Sequence, residues 1–240
     1  KIQVTTSKTK EEELTGRTPI TDSLTINFVM DKKNRLGTIT NLRLGYGSNN
    51  RYDGALFFTK INQDSKLSLS AGSNNINSGL SGKTGSGTGI FTTTIVNATY
   101  SKKFDNLDLE RLNANFYQRN TETYSKIART TFLPDYKLDK NTERSGKRDL
   151  KRFSFNTNAT LRLNKSTNLI FNSSFNNNTN EGASENNSST YRDNILLNSS
   201  SGVINQKSIN NNFSQSLAVT KKFEKQGRSF SGSVSTNITG

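Results

Sequence analysis

The stretch KRFSFNTNATLRLNKSTNLIFNSSF, Lys151 to Phe175, decides how the rest of this chain is read. From Phe153 its odd positions are Phe153, Phe155, Thr157, Ala159, Leu161 and Leu163. Between them stand Ser154, Asn156, Asn158, Thr160 and Arg162. A period of two sends these two sets to opposite sides, as in a strand with one apolar face and one wet face. Asn164-Lys165-Ser166 is turn chemistry. Beyond it Leu169, Phe171 and Phe175 alternate with Asn168, Asn172 and Ser174, with Ile170 as the exception. Two alternating strands joined by a polar turn predict a β-hairpin. Each is longer than the usual strand of about 5–6 residues. Each matches the run of about 9–11 residues with which a tilted strand crosses a bilayer.

Outward from this hairpin, the same alternation predicts seven more strands. They are Leu36 to Gly47, Tyr52 to Ile61, Lys66 to Ser73, Ile90 to Lys102, Leu109 to Thr121, Ser208 to Phe223 and Arg228 to Ile238. Leu217 and Val219 fall on the apolar side of the eighth of the nine. A further short strand is expected at Leu24 to Met30, ahead of the charged turn Asp31 to Arg35. From the second of the nine onward, short connections alternate with long ones. Asn62 to Ser65, Lys103 to Asp108, Asn164 to Ser166 and Glu224 to Gly227 are short. Asn74 to Gly89, Glu122 to Leu150 and Asn176 to Lys207 are long and are read as loops. Outer-membrane barrels have short periplasmic turns and longer external loops, which predicts the orientation. Ser48 to Asn50 belongs outside by this parity but is short. Single-chain bacterial barrels have even strand numbers, so nine strands are expected to be part of a barrel.

Composition points the same way. The chain has 240 residues, of which 30% are hydrophobic, with 14 Phe, 7 Tyr, no Cys, no His and no Trp. Average chains are about 45–50% apolar on a slightly wider definition. Too few apolar residues are present for a two-layer core, yet those present alternate regularly, unlike a disordered chain. A large barrel resolves this, because it needs an apolar outer face only and its lumen is polar. No apolar run is long enough for a transmembrane helix, and the opening KIQVTTSKTKEEE lacks the apolar core of a signal peptide.

The net charge is +14. The charges lie in turns (Lys102, Lys103, Lys221, Lys222, Lys225) and in the segment Lys126 to Arg152, without a basic stripe interleaved with aromatics. They are read as solvated charge, and nucleic acid is set aside as a partner. Without His or Cys, Ser-His-Asp and Cys-His catalysis is impossible and zinc sites are not expected. The Gly-rich run Gly79 to Gly89 lacks the Walker spacing. Neither an enzyme nor a cofactor is expected.

Several stretches resemble a known family. DKKNRLGTITNLRLGYGSNNRYDGALFFTKINQDSKLSLSAGSNNIN, Asp31 to Asn77, is similar to the plug-to-barrel junction of Bacteroidetes outer-membrane β-barrel proteins related to TonB-dependent receptors. KIQVTTSKTKEEELTG at the start, RTTFLPD at Arg129 to Asp135, and KKFEKQGRSFSGSVS at Lys221 to Ser235 resemble the same family. The resemblance implies a plug followed by a barrel of about 22 strands, in the bacterial outer membrane, with ligand uptake driven through TonB. The expected fold is therefore all-β: a partial transmembrane antiparallel β-barrel of about nine strands, preceded by the end of a plug domain. Residues 1–34 would be the end of the plug and the junction, and residues 35–240 the first barrel strands.

Expected partners are outer-membrane lipid and lipopolysaccharide, an unidentified ligand, and TonB through a part of the protein outside these residues. Phe153, Phe155, Leu161, Leu163, Leu169, Phe171, Leu217 and Val219 are the expected lipid-facing residues. Arg129, Lys137, Lys140, Arg144, Lys147 and Arg148 are the candidates for a ligand-facing loop that attracts an anion or lipopolysaccharide; solvated charge is the plainer reading of the same residues. The rival is a surface adhesin or structural β-protein without a pore, which suits the Asn/Ser-rich stretch Asn172 to Ser201.

Overall fold

The alternating segments form strands, and several strands run far beyond the alternation. The structure, a computed structural model, describes residues 2–6, 24–28, 36–77, 89–225 and 228–240. β1 (Ile2–Thr6) and β2 (Leu24–Phe28) pair antiparallel, with Ile2 opposite Phe28 and Val4 opposite Ile26. β1 falls in the opening stretch, for which the sequence predicts no strand. Most of the expected plug, residues 1–34, lies outside the described residues, as do most of the Gly-rich run and Gln226-Gly227 of the last turn.

Nine strands form one antiparallel sheet in sequence order. They are β3 (Gly37–Gly47), β4 (Arg51–Ile61), β5 (Ser65–Asn74), β6 (Ile90–Lys103), β7 (Leu107–Phe132), β8 (Lys137–Arg162), β9 (Thr167–Arg192), β10 (Ile195–Lys222) and β11 (Ser229–Thr239). β3 and β11 each have a single neighbour, so the sheet is not closed into a barrel.

The two longest expected loops are strand. β7 and β8 run through Glu122 to Leu150 as 26-residue strands, paired up to Phe132 opposite Lys137. β9 and β10 run likewise through Asn176 to Lys207, paired up to Arg192 opposite Ile195. The actual turns are Leu133 to Tyr136, closed by Leu133 N–H donating to Tyr136 O at 2.9 Å, and Asp193-Asn194. The reason is physical. Apolar alternation marks a strand only where one face leaves water. Where both faces are wet, the ladder continues without any periodicity to betray it.

Asp193 and Asn194 have φ of 47° and 69°, and Asn49 and Asn50 have 56° and 57°. Positive φ at both central residues is the primed two-residue hairpin turn, and Asn and Asp adopt it readily.

Bulges keep the faces in phase. Leu107 and Leu109 are odd-numbered, whereas Leu112, Ala114 and Phe116 are even-numbered. A register shift between Leu109 and Arg111 absorbs the extra residue, so both sets stay on one side.

Candidate functional site

Cross-strand register assembles the alternating residues into two continuous faces. One row runs Phe58, Leu69, Ala98, Ala114, Phe155, Phe175, Phe213 and Ile238. Lower rows place Leu161 beside Leu169 and Val219, and Phe171 beside Leu217. The opposite face is a ladder of Asn, Ser and Thr. Asn158 Nδ2 donates to Asn172 Oδ1 at 2.7 Å, and Asn172 Nδ2 to Ser216 Oγ at 3.2 Å. Asn113 Nδ2 donates to Thr99 Oγ1 at 2.8 Å, and Asn115 Nδ2 to Ser154 Oγ at 3.1 Å.

Burial is inverted with respect to a protein folded in water. The buried side chains Thr59, Asn74, Thr93, Asn113, Thr160 and Thr220 all belong to the polar face, and so does Phe91. On the apolar face of strands that have two neighbours Val96 is 44% exposed, Leu217 43% and Leu56 41%. The polar face is therefore the crowded inner side of the sheet. An uncovered apolar face of this extent is uncommon on a monomeric protein surface in water.

The apolar face is also bounded. Phe153, Phe155, Phe175 and Phe213 stand at its upper end, with the Phe153 and Phe175 ring centroids 6.2 Å apart. Phe104 and Phe223 stand at the turn end, where Lys102 Nζ lies 4.5 Å and Lys221 Nζ 5.6 Å from their ring centres. From Phe213 to Phe223 is ten residues, about 34 Å of strand. A strand tilted by about 45° would turn that length into roughly 25 Å of height, which equals the height of the apolar band of outer-membrane barrels. One row interrupts the band: Thr157, Ser173, Gln215 and Thr236 lie opposite one another on the apolar side.

Seven of the eight residues expected to face lipid are on that side by register. Phe153, Phe155 and Leu161 lie on β8, Leu169 and Phe171 on β9, and Leu217 and Val219 on β10; Leu163 follows β8 in the turn. The candidate ligand-facing loop, by contrast, is two strands, and its residues divide. Lys137 and Lys147 are on the outer side, continuous with the apolar face. Arg129, Lys140, Arg144 and Arg148 are on the inner side. Arg119 and Arg152, which the sequence reading passed over, join them there.

Above the band the outer side carries compensated charge. Lys147 Nζ is 3.1 Å from Glu122, Lys126 Nζ 2.6 Å from Glu143, and Lys207 Nζ 2.6 Å from Glu181. Glu143 holds the Lys126 ammonium above its ordinary range, by hydrogen bond first and by charge second. Asp139 is held below its ordinary value, chiefly by the Thr130 hydroxyl, which donates to it at 2.6 Å.

On the inner side three arginines are each held by an asparagine. Arg148 Nε donates to Asn180 Oδ1 at 2.7 Å, Arg144 Nε to Asn186 Oδ1 at 3.0 Å, and Arg152 Nε to Asn178 Oδ1 at 3.4 Å. The Arg119 guanidinium lies 4.0 Å over the Phe91 ring, and its buried Nε has no hydrogen-bond partner among the described residues. No group of three or more metal-ligating side chains is found among the described residues.

No protein family, curated protein or solved structure matches the chain.

Proposed function

We propose that this sheet is part of the wall of a bacterial outer-membrane β-barrel of the kind related to TonB-dependent receptors, working in ligand uptake across that membrane. The inverted burial carries the reading. Apolar side chains are uncovered while threonines and asparagines are crowded inside, which in water would forfeit the main driving force of folding. In lipid the same arrangement is favourable, with an apolar exterior and a polar lumen. Band height and terminal aromatics support it. No helix among the described residues is long and apolar enough to cross a membrane. The open edges at β3 and β11 would leave backbone groups unpaired in hydrocarbon, at several kcal/mol each. The wall therefore requires further strands.

The rival reading, an adhesin or structural β-protein without a pore, draws on the polar row Thr157, Ser173, Gln215 and Thr236. Detergent dependence separates the two. A barrel wall stays monodisperse only with detergent or lipid. A sheet that remains monodisperse and folded in buffer alone overturns the membrane reading.

A further inference from the structure

Charge above the band is sorted by face. On the inner side β7 contributes Arg119 and Arg129, and β8 contributes Lys140, Arg144, Arg148 and Arg152. The carboxylates of the same stretch, Glu122, Asp139, Glu143, Asp149, Glu181 and Glu185, all fall at outer-side register positions. Among the described residues, therefore, the outer cations are paired with carboxylates and these six inner ones are not, whereas Arg192 at the end of β9 has Asp193 at 3.8 Å. The residue types differ too. The outer cations here are Lys126, Lys137, Lys147, Lys151 and Lys207, whereas the inner side relies on arginine.

The inner arginines are also oriented. The three asparagines on β9 take up the Nε protons of Arg144, Arg148 and Arg152. That fixes each side chain without neutralising it and leaves the terminal guanidinium amines to fork onto an oxyanion. Between them the floor is low. Gly146 lies between Arg144 and Arg148 on β8, and Gly182 faces Arg148 across the ladder. A Cβ added at Gly146 would come within 2.9 Å of Thr123 Oγ1. The resulting open hollow, about 700 Å³, is lined in part by Arg119, Arg148, Arg152 and Asn180.

We infer that this inner arginine ladder is the binding site for an extended, multiply charged anion, which lies along β8 and places oxyanions on successive rungs. The inference rests on the barrel reading only for which side is the lumen. Arg144, Arg148 and Arg152 are four residues apart, about 13–14 Å per rung, with Arg119 projecting opposite Leu150 between the last two. A single small anion would engage one rung, and only a chain spans several. Phe91 and Tyr117, the inner aromatics beside the ladder, already lie under Arg119 and Arg152. No base-stacking platform is left there of the kind that single-stranded nucleic acid uses. The asparagines and serines between rungs suit hydroxyls instead.

The test compares two triple variants of equal net charge in the full chain, held in detergent micelles. One is Arg144→Gln, Arg148→Gln and Arg152→Gln. The other is Lys126→Gln, Lys147→Gln and Lys151→Gln. Binding of dextran sulfate, long-chain polyphosphate, inorganic phosphate, neutral dextran and oligo-dT is measured by calorimetry over a salt series, with strand content checked by circular dichroism.

The inner triple is expected to weaken binding of the polyanion by tenfold or more, because three charge-assisted hydrogen-bonding groups are lost. The outer triple should change it less than about threefold. The stronger of the sulfate and phosphate chains names the oxyanion. Equal losses in both triples would reduce the site to net charge and overturn the proposal, as would inorganic phosphate binding as tightly as the chains. Oligo-dT binding more tightly than either chain would replace it with nucleic acid. If the inner triple misfolds, Arg148→Lys with Arg152→Lys keeps the charge but loses the fork, and unchanged polyanion affinity in that pair would overturn the proposal. Detergent dependence is read separately, so a chain that needs no detergent yet loses binding only in the inner triple would refute the barrel and retain the site.

Discussion

At the scale of single residues, the two faces make opposite predictions about the same substitution. Leu217 is already 43% exposed, so in water Leu217→Arg would be nearly free. Facing hydrocarbon near the middle of the band, it should cost about 2–4 kcal/mol. Asn176→Arg, on the inner side at the level of Phe175, should be tolerated. Folding yield into lipid vesicles, followed by the gel shift between heated and unheated samples, checks this; equal tolerance would mean that the apolar side does not meet lipid. Thr160 makes a poor inner-side control. It is 3% exposed, and its hydroxyl donates to Glu110 Oε1 at 2.8 Å, so an arginine there would also be expensive.

Asp139 gives a pH prediction. Its folded-state pKa is depressed, mainly by the Thr130 hydroxyl. Its contribution is therefore complete above the ordinary carboxylate value and is lost as pH falls through the lower folded one. Thr130→Val should move the Asp139 titration upward, as read by NMR of its carboxyl carbon. An unmoved titration would assign the depression to Lys137 instead.

At the scale of elements, the long hairpins are the unusual feature. β9 and β10 are held in register by many weak cross-strand pairs and by one turn that requires positive φ at Asp193 and Asn194. Asn194→Val should cost about 1–2 kcal/mol, because a β-branched residue is strained in the left-handed region. Asn194→Gly should cost little or stabilise. Amide exchange at Ser188 to Ser200 reads the effect locally, and equal protection in both variants would remove the turn as the pin of this register. The bulge between Leu109 and Arg111 is the second pin. It lets a sequence whose apolar phase changes from odd to even keep one apolar face.

At the scale of the whole molecule, all the extended hairpins project from the same end of the sheet, opposite the short turns. The chain contains no cysteine, so single cysteines report cleanly on orientation. Ser188→Cys should react with a membrane-impermeant maleimide on intact cells, and Ser166→Cys only after the outer membrane is opened. The reverse pattern would invert the orientation. The sheet also ends in two unpaired strands. The far half of β10, residues 195–210, has β9 on one side and nothing described on the other, since pairing with the last strand begins at Asn211, which exchanges backbone hydrogen bonds with Gly240. Lys207 is the only charge along that edge. Long edges of this kind recruit other strands, so these 240 residues on their own should associate in detergent. A heat-resistant closed monomer would mean that the edges find each other.

The nine strands of the sheet, its short turns and the membership of each face were legible in the sequence, because a strand with one apolar and one polar face carries a period of two. Phe153, Leu161, Phe171 and Leu217 could be assigned to one side from spacing alone. Residues 122–150 and 176–207 could not be identified as strand, since polar residues on both faces carry no period and look like loop. The Asp193-Asn194 pair was the one local signal there. Tertiary structure alone decided which cations share a face. Arg148 and Lys147 are neighbours in sequence and alike in charge. Only the register, which sets Lys147 opposite Glu122 and Arg148 beside Asn180, separates a neutralised surface pair from an uncompensated inner ladder.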